Sequence, residues 1–303
     1  VKIQTYKPES LTLNLQDGYF APRIEGAWKG YTSWDLYSQA ALPYEWHEKL
    51  KEITEDHQME FFSSPFDLDA VDYLEKIGVA RYKIASLEIN HIPLISYTAS
   101  KGKPMIISTG VAQENDIENA IKACHEQGNY DITLLKCTSE YPARIEDANL
   151  SKMLDLKSRF KVKIGLSDHT EGDLCAIMAV ALGAEVIEKH FILDKQIGGP
   201  DSFFSMEPGP FGVMVDKIRD IEKMFGQVDY SISERDKLRR RSIFISEDIK
   251  QGDLITAHNV KIVRPGHGLD PKFYDQILGK RIKLDLKKGD PLKIEDILLT
   301  NEN

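Results

Sequence analysis

Short runs of β-branched and aromatic residues recur along the first three-quarters of the chain, and each is followed by a stretch with helical periodicity. The runs at Val1–Gln4, Met59–Ser63, Tyr82–Ala85, Met105–Ile107, Ile132–Leu135, Ile164–Leu166 and Val186–Glu188 predict seven strands. The spacing of apolar positions predicts helices over 44–57, 67–77, 91–101, 113–127, 149–159, 171–182 and 210–225. Strand alternating with helix at this interval means parallel βαβ units. Thr170, with Asp173 three residues on, is the expected cap of the helix over 171–182, and Gly183 its end.

The fold class is therefore α/β. No glycine-rich dinucleotide loop follows any of the strands, which weakens the case for an open doubly wound sheet. The alternative is an eight-stranded (β/α) barrel, a TIM barrel. The chain begins without Met inside VKIQTY, a strand already under way, so the expectation is that the first βα unit precedes the given sequence. The barrel is expected over 1–228, a polar linker over 229–240, and a separate small domain over 241–303. In that last part the pattern changes to short strands and turns, punctuated by Gly252, Gly266, Gly268, Gly279 and Gly289. A domain of about 65 residues lies near the lower limit for a core that folds alone. Packing on a partner would supply what it lacks.

Composition narrows the function classes. The 303 residues are 42% hydrophobic and 29% charged, with a formal net charge of -9. That balance argues against nucleic acid, whose binding rests on basic surface. The basic cluster KLRRR at 237–241 is an exception that reads most simply as solvated. No apolar run approaches the ~18 residues of a membrane span, and no secretory signal is present. Cys124, Cys137 and Cys175 are odd in number and lack a CxxC spacing, and they read as buried free thiols.

In a barrel the functional groups cluster where strands end. The strand ends here carry Lys2 and Gln4, Ser64, Lys83, Ser86 and Glu88, Ser108 and Thr109, then Lys136, Thr138, Ser139 and Tyr141, then Ser167, Asp168 and His169, and finally Glu188 and His190. Lysines amid a ring of hydroxyls suit a small, highly charged anion. His169 and His190 stand at the tips of strands separated by one helix, and such tips are about 5 Å apart in a parallel unit. Two imidazoles there can share a divalent ion. With oxygens completing the shell, Mn2+ or Mg2+ fits better than a closed structural zinc site. Each residue also has a purely structural alternative. The lysines can be paired inside the barrel, Glu88 can simply pair with one of them, Asp168 can cap the following helix, and Glu188 can support a histidine or a lysine.

Taken in order, VKIQTY, SSPF, YKIAS-E, ISTG, CTSEYP, GLSDHT, ALGAEVIEKHF, GGPDSFFSMEP and VRPGHGLDP resemble the sialic acid synthase family over nearly the whole chain. The last part resembles that family's C-terminal antifreeze-like domain. The resemblance implies condensation of phosphoenolpyruvate with an open-chain N-acetylated amino sugar, giving a nine-carbon 2-keto acid and phosphate. It gives His169 and His190 the metal, and Lys83 and Glu88 places in the catalytic centre. Lys2, Lys83, Ser86, Ser108, Ser139 and Ser167 would cradle phosphoenolpyruvate, with Ser64 nearby in place of the family's frequent Thr. Gln4, Glu88, Tyr141 and Asp201 would face the sugar. Arg264 would reach from the small domain into the other subunit's barrel, which implies a homodimer with exchanged C-terminal domains.

Within the family, KIQTYKPESLTLN, LPYEWH, KCTS and GLDPKFY point to members whose acceptor is a 6-deoxy-2,4-diacetamido altrose. Members using N-acetylmannosamine or the legionaminate precursor are the alternatives. The family's first strand carries an EI-x-x-NH-x-G motif whose Glu is a proposed general base, and it would lie before Val1. The residues given are therefore expected to be inactive or poorly folded by themselves. Two further readings compete: a Schiff-base aldolase using Lys83 or Lys136, and a non-catalytic sugar-binding protein.

Overall fold

The computed structural model describes residues 1–26 and 28–298. They form two compact units, Val1–Gly226 and the chain from Gln227 onward. In the first unit β1 (Lys2–Thr5) is followed by α1 (Pro8–Leu11), α2 (Ser33–Ala40) and α3 (His47–Asp56). From there strand and helix alternate: β2 (Phe62–Pro65), α4 (Leu68–Ile77), β3 (Tyr82–Ile84), α5 (Ile92–Ala99), β4 (Met105–Ser108) and α6 (Glu114–Glu126). The unit continues with β5 (Ile132–Cys137), α7 (Ser151–Phe160), β6 (Lys163–Asp168), α8 (Leu174–Ala181), β7 (Val186–Lys189) and α9 (Pro208–Phe225). All seven strands are parallel and lie in chain order.

The sheet is rolled. Six strand spacings of ~4.8 Å would set the outer strands of a flat sheet about 29 Å apart. Instead Lys2 Nζ on β1 lies 3.2 Å from Glu188 Oε2 on β7. Two side chains cannot bridge the flat separation, so the strands curl into a barrel and the doubly wound alternative is excluded.

Alternation along the strands sorts residues into two layers. Tyr82, Ile84, Met105, Ile107, Ile132, Leu134, Ile164 and Leu166 face outward, into one buried cluster with Val71, Leu74, Leu94, Ile95, Ile117, Met153 and Leu156 of the helices. Helix–sheet packing thus forms the main core. The residues between them face the lumen. There Leu135 of β5 and Gly165 of β6 are register partners, and an added Cβ at Gly165 would stand 2.3 Å from the Val186 carbonyl oxygen and 2.6 Å from Leu135 Cδ2.

Some local expectations are corrected. Helix α8 starts at Leu174, and Thr170 does not cap it. The Thr170 N–H and hydroxyl both donate to Asp168 Oδ1, at 2.9 and 2.7 Å, so its hydroxyl serves the strand tip. Asp168 is likewise no helix cap. Helices α1 and α2 lie where no element was expected, although Pro8 at the start of α1 and Thr32, which accepts from Asp35 N, are ordinary start signals.

The second unit opens with α10 (Glu234–Arg239), inside the stretch expected to be a linker, and Ser233 caps it by accepting from Asp236 N. An antiparallel pair follows, β8 (Ser242–Ile245) with β9 (Val260–Val263), then α11 (Tyr274–Ile277). Ile243, Ile245, Ile249, Ile255, Val260, Ile277, Ile282, Leu292 and Ile297 form its own core.

Gly165→Ala tests the lumen packing. The new methyl meets backbone on one side, so a destabilisation of about 1–3 kcal/mol is expected from urea unfolding. A loss below the error of the fit would show that the lumen yields there.

Candidate active site

The carboxylate of Glu188 sits among cations at the lumen end of β7. Lys2 approaches one oxygen at 3.2 Å, Lys83 the other at 3.8 Å, and the Ser167 hydroxyl donates to it at 2.9 Å. Burial pushes the Glu188 carboxyl up, but the two lysines and Ser167 outweigh that and hold it well below the usual carboxylate range. Lys83 is only 1% exposed and donates to the Ile84 carbonyl at 3.0 Å. Burial brings its ammonium down to about 8 against the pull of Glu188, so it remains mostly charged at neutral pH.

Around these charges stand buried polar atoms without a protein partner: Ser64 Oγ, Ser108 Oγ and Glu88 Oε2. Burial raises the Glu88 carboxyl to about 7, only partly opposed by Lys83. Two ammonium groups thus face one firmly ionised carboxylate, and the surplus is positive. Next to them the backbone of Gly110 passes between two hydroxyls. Its N–H donates to Ser86 Oγ at 2.7 Å, and an added Cβ would stand 2.2 Å from Ser139 Oγ. Unsatisfied hydroxyls with surplus positive charge define a receptor for a compact polyanion.

The imidazoles follow one residue beyond β6 and β7. The rings of His169 and His190 have centres 5.3 Å apart at an interplanar angle of 67°. His169 Nδ1 lies 2.8 Å from the Thr138 carbonyl, so Nδ1 donates there and Nε2 is the ring nitrogen that could face an ion. Burial, then the charges of His169 and Lys2, push the His190 ring down to about 3. His190 is therefore neutral, and the 3.5 Å approach of Asp201 Oδ2 to its Nδ1 is a polar contact rather than an ion pair. Burial raises the Asp201 carboxyl as well.

Two imidazoles at this distance suit metal–nitrogen bonds of about 2.1 Å to one shared ion. Among the described residues there is no group of three or more His, Cys, Asp or Glu side chains that could hold a metal. An ion held here by two nitrogens therefore keeps positions open for oxygens of water or substrate. Tyr141 lies against both rings, with centres 4.3 Å from His169 and 6.0 Å from His190, and is flanked by Phe204 at 5.2 Å and Trp28 at 5.8 Å. Trp28 Nε1 donates to the Pro200 carbonyl at 3.0 Å, joining the loop after α1 to the loop after β7.

Not every strand-end residue joins this site. Lys136 has the outward parity of β5 and donates to the Asp147 carbonyl and to Thr138. Thr109 is tied to the Leu135 carbonyl through its N–H and its hydroxyl. Asp168 turns away to pair with Lys189. Gln4 lies exposed beyond Ile3. Arg264 belongs to the second unit, where it is exposed beside Leu238, Arg239 and Pro265. Residues not singled out from sequence include Gly110, Trp28, Phe204 and Cys137, whose Sγ lies 3.9 Å from His169 Nδ1. ISTG, GGPDSFFSMEP and CTSEYP contain Gly110, Phe204 and Cys137 without giving them a role, and no motif contains Trp28.

The NeuB family model matches residues 1–230 and the SAF domain model residues 240–298. Pseudaminic acid synthase of Helicobacter pylori is 44% identical over 302 residues, covering 98% of this chain and 88% of that protein. N,N'-diacetyllegionaminic acid synthase of Legionella pneumophila is 36% identical, covering 98% and 85%. Among solved structures, N-acetylneuraminic acid synthetase from Leptospira borgpetersenii, in complex with citrate, superposes with a TM-score of 0.68 at 32% identity, covering 78% of this chain and 77% of that one. The chain belongs to the NeuB family, and its architecture is that family's barrel with a C-terminal SAF domain.

The raised Glu88 carboxyl has a signature in stability. Between about 4.5 and about 7 the folded protein keeps a proton that the unfolded chain has lost. This group's contribution is therefore full below about pH 4.5 and falls as pH rises to about 7. Urea midpoints measured across that window are expected to fall for the unmodified protein relative to Glu88→Gln. Parallel profiles would refute the assignment.

Proposed function

We propose that this chain is a phosphate-releasing, carbon–carbon bond-forming transferase of the pseudaminic acid synthase type. It condenses phosphoenolpyruvate with an open-chain 2,4-diacetamido-deoxy sugar to give a nine-carbon 2-keto acid. The observation that carries this reading is the adjacency of two sites in one barrel mouth, a buried cationic receptor lined by unpartnered hydroxyls and a pair of imidazoles. The altrose-type acceptor is favoured over the legionaminate precursor by the greater identity, 44% against 36%, to the respective relatives.

Lys2 and Lys83 neutralise the phosphate and carboxylate of phosphoenolpyruvate, and Ser64, Ser86, Ser108, Ser139 and Ser167 orient them. Mn2+ or Mg2+ held by His169 and His190 supplies Lewis-acid polarisation of the sugar aldehyde. Tyr141 and Asp201 face the sugar, and Phe204 gives Tyr141 an apolar flank there. C3 of phosphoenolpyruvate forms the new bond to the aldehyde carbon, water adds at C2, and phosphate leaves with cleavage of its C–O bond. Burial favours the neutral form of the Glu88 carboxyl, and in that form it donates a hydrogen bond at the pocket wall without repelling the anion. The ion pairing of Lys83 with Glu188 favours this anion-binding role over Schiff-base chemistry.

The working form is a homodimer with exchanged SAF domains, in which Arg264 of one subunit reaches the partner's barrel. The exposed guanidinium on a small separate unit supports that reading.

Two outcomes are expected. Assayed on the full-length protein, phosphate release from phosphoenolpyruvate with Mn2+ should occur with the altrose-type diacetamido sugar and not with N-acetylmannosamine or the legionaminate precursor. It should stop on chelation and fall at least 100-fold in His169→Ala or His190→Ala. Release with another of these sugars would reassign the acceptor, and release unaffected by chelator would remove the metal. For the dimer, an inactive His169→Ala chain mixed and reassembled with an inactive Arg264→Ala chain should regain activity, because one mixed site is intact. No recovery in verified mixed dimers would refute the exchange.

A further inference from the structure

The two histidines are each preceded by a charged residue that the proposed chemistry does not use. Asp168 and Lys189 are register partners at the last positions of β6 and β7. Their side chains are 1% and 3% exposed and meet at 2.7 Å. Parity turns them away from the lumen. Lys189 Nζ also donates to the Thr170 carbonyl at 2.7 Å, while Asp168 Oδ1 accepts from the Thr170 N–H at 2.9 Å and its hydroxyl at 2.7 Å. The chain is thus gripped immediately before and after His169, and immediately before His190.

A buried ion pair is a poor way to gain stability, since the desolvation of both charges offsets most of their attraction. Here it stands where the backbone ladder between β6 and β7 stops, so beyond this point strand pairing no longer fixes how far apart the chains lie. Elsewhere the His169 carbonyl accepts from Ala143 N at 2.9 Å and the His190 carbonyl from Met206 N at 2.8 Å. The first ties His169 to the loop after β5, and the second ties His190 to its own loop. Only the Asp168–Lys189–Thr170 cluster, among these contacts, holds the two histidine-bearing tips to each other.

We infer that Asp168 and Lys189 are positioning residues whose buried pairing, closed by Thr170, sets the spacing of His169 and His190 and hence the affinity for a shared divalent ion. This rests on the metal reading above. A metal site needs its ligands held within about 0.5 Å, and groups behind the ligands commonly change affinity by 10–100-fold.

The test is a Mn2+ titration followed by electron paramagnetic resonance on the full chain, without substrates. The unmodified protein is expected to bind Mn2+, and His169→Ala to abolish that binding. The double variant Asp168→Asn/Lys189→Met removes both charges and keeps an acceptor for Thr170. It is expected to melt within a few degrees of the unmodified protein and to bind Mn2+ about 10–100-fold more weakly. A folded double variant whose Mn2+ affinity stays within threefold would overturn the inference and leave the metal reading intact. Absence of Mn2+ binding by the unmodified protein would overturn both. Should the double variant not fold, Thr170→Val decides: it removes only the hydroxyl donated to Asp168. A drop in affinity of about threefold or more supports the cluster's role, and an unchanged affinity refutes it.

Discussion

A carboxylate shared between two ammonium groups in the interior of a barrel is the constraint on which the rest of this structure depends. Glu188 draws Lys2 from the first strand and Lys83 from the third toward the last. That contact is attainable only if the sheet curls. Taking three charges out of water is costly, and the attraction among them repays it only when the geometry is close and the remaining lone pairs are satisfied, as Ser167 does for Glu188. The three charges sum to one positive unit, and the Ser64 and Ser108 hydroxyls beside them have no protein partner. A protein selected for stability alone would have filled this lumen with aliphatic side chains, as its lower layer is filled by Ile106 and Leu135.

Much of this was legible in the sequence, and what was not has identifiable causes. Seven strands and their order follow from runs whose outer faces are almost wholly apolar. The histidine pair follows from one βα spacing. Lys83 and Lys136 could not be told apart, because ITLLKC is apolar on both faces below its lysine and hides the period of two. Register alone puts Cys137 inside and Lys136 outside. Thr170 misled because a hydroxyl before an acidic residue is a helix-start signal, and here a buried aspartate two residues earlier claims it first. Trp28 and Phe204 were invisible because they reach the site from loops, where no periodicity records which way a side chain turns. The Asp168–Lys189 pair was missed for a related reason. Both residues were read singly, and only the register makes them partners.

The two units divide the work differently. The barrel holds nearly every group of the site on strand ends, where neighbouring strands fix positions closely. The SAF unit has an isoleucine-rich core of its own and presents Arg264 on an exposed turn. Under the proposed exchange, Arg264 is supplied by a unit whose core does not depend on the barrel's.

The depth of the cationic receptor also governs traffic. Ser64 and Ser108 are 1% exposed at the bottom of the polar layer, above a floor that Gly165 and Leu135 close to solvent, whereas His190 and Tyr141 are only half-buried nearer the mouth. Under the proposed chemistry the barrel is a cul-de-sac. What enters first lies deepest, and the phosphate formed there leaves last, past whatever occupies the imidazole end. Inorganic phosphate is then the product with the longest way out.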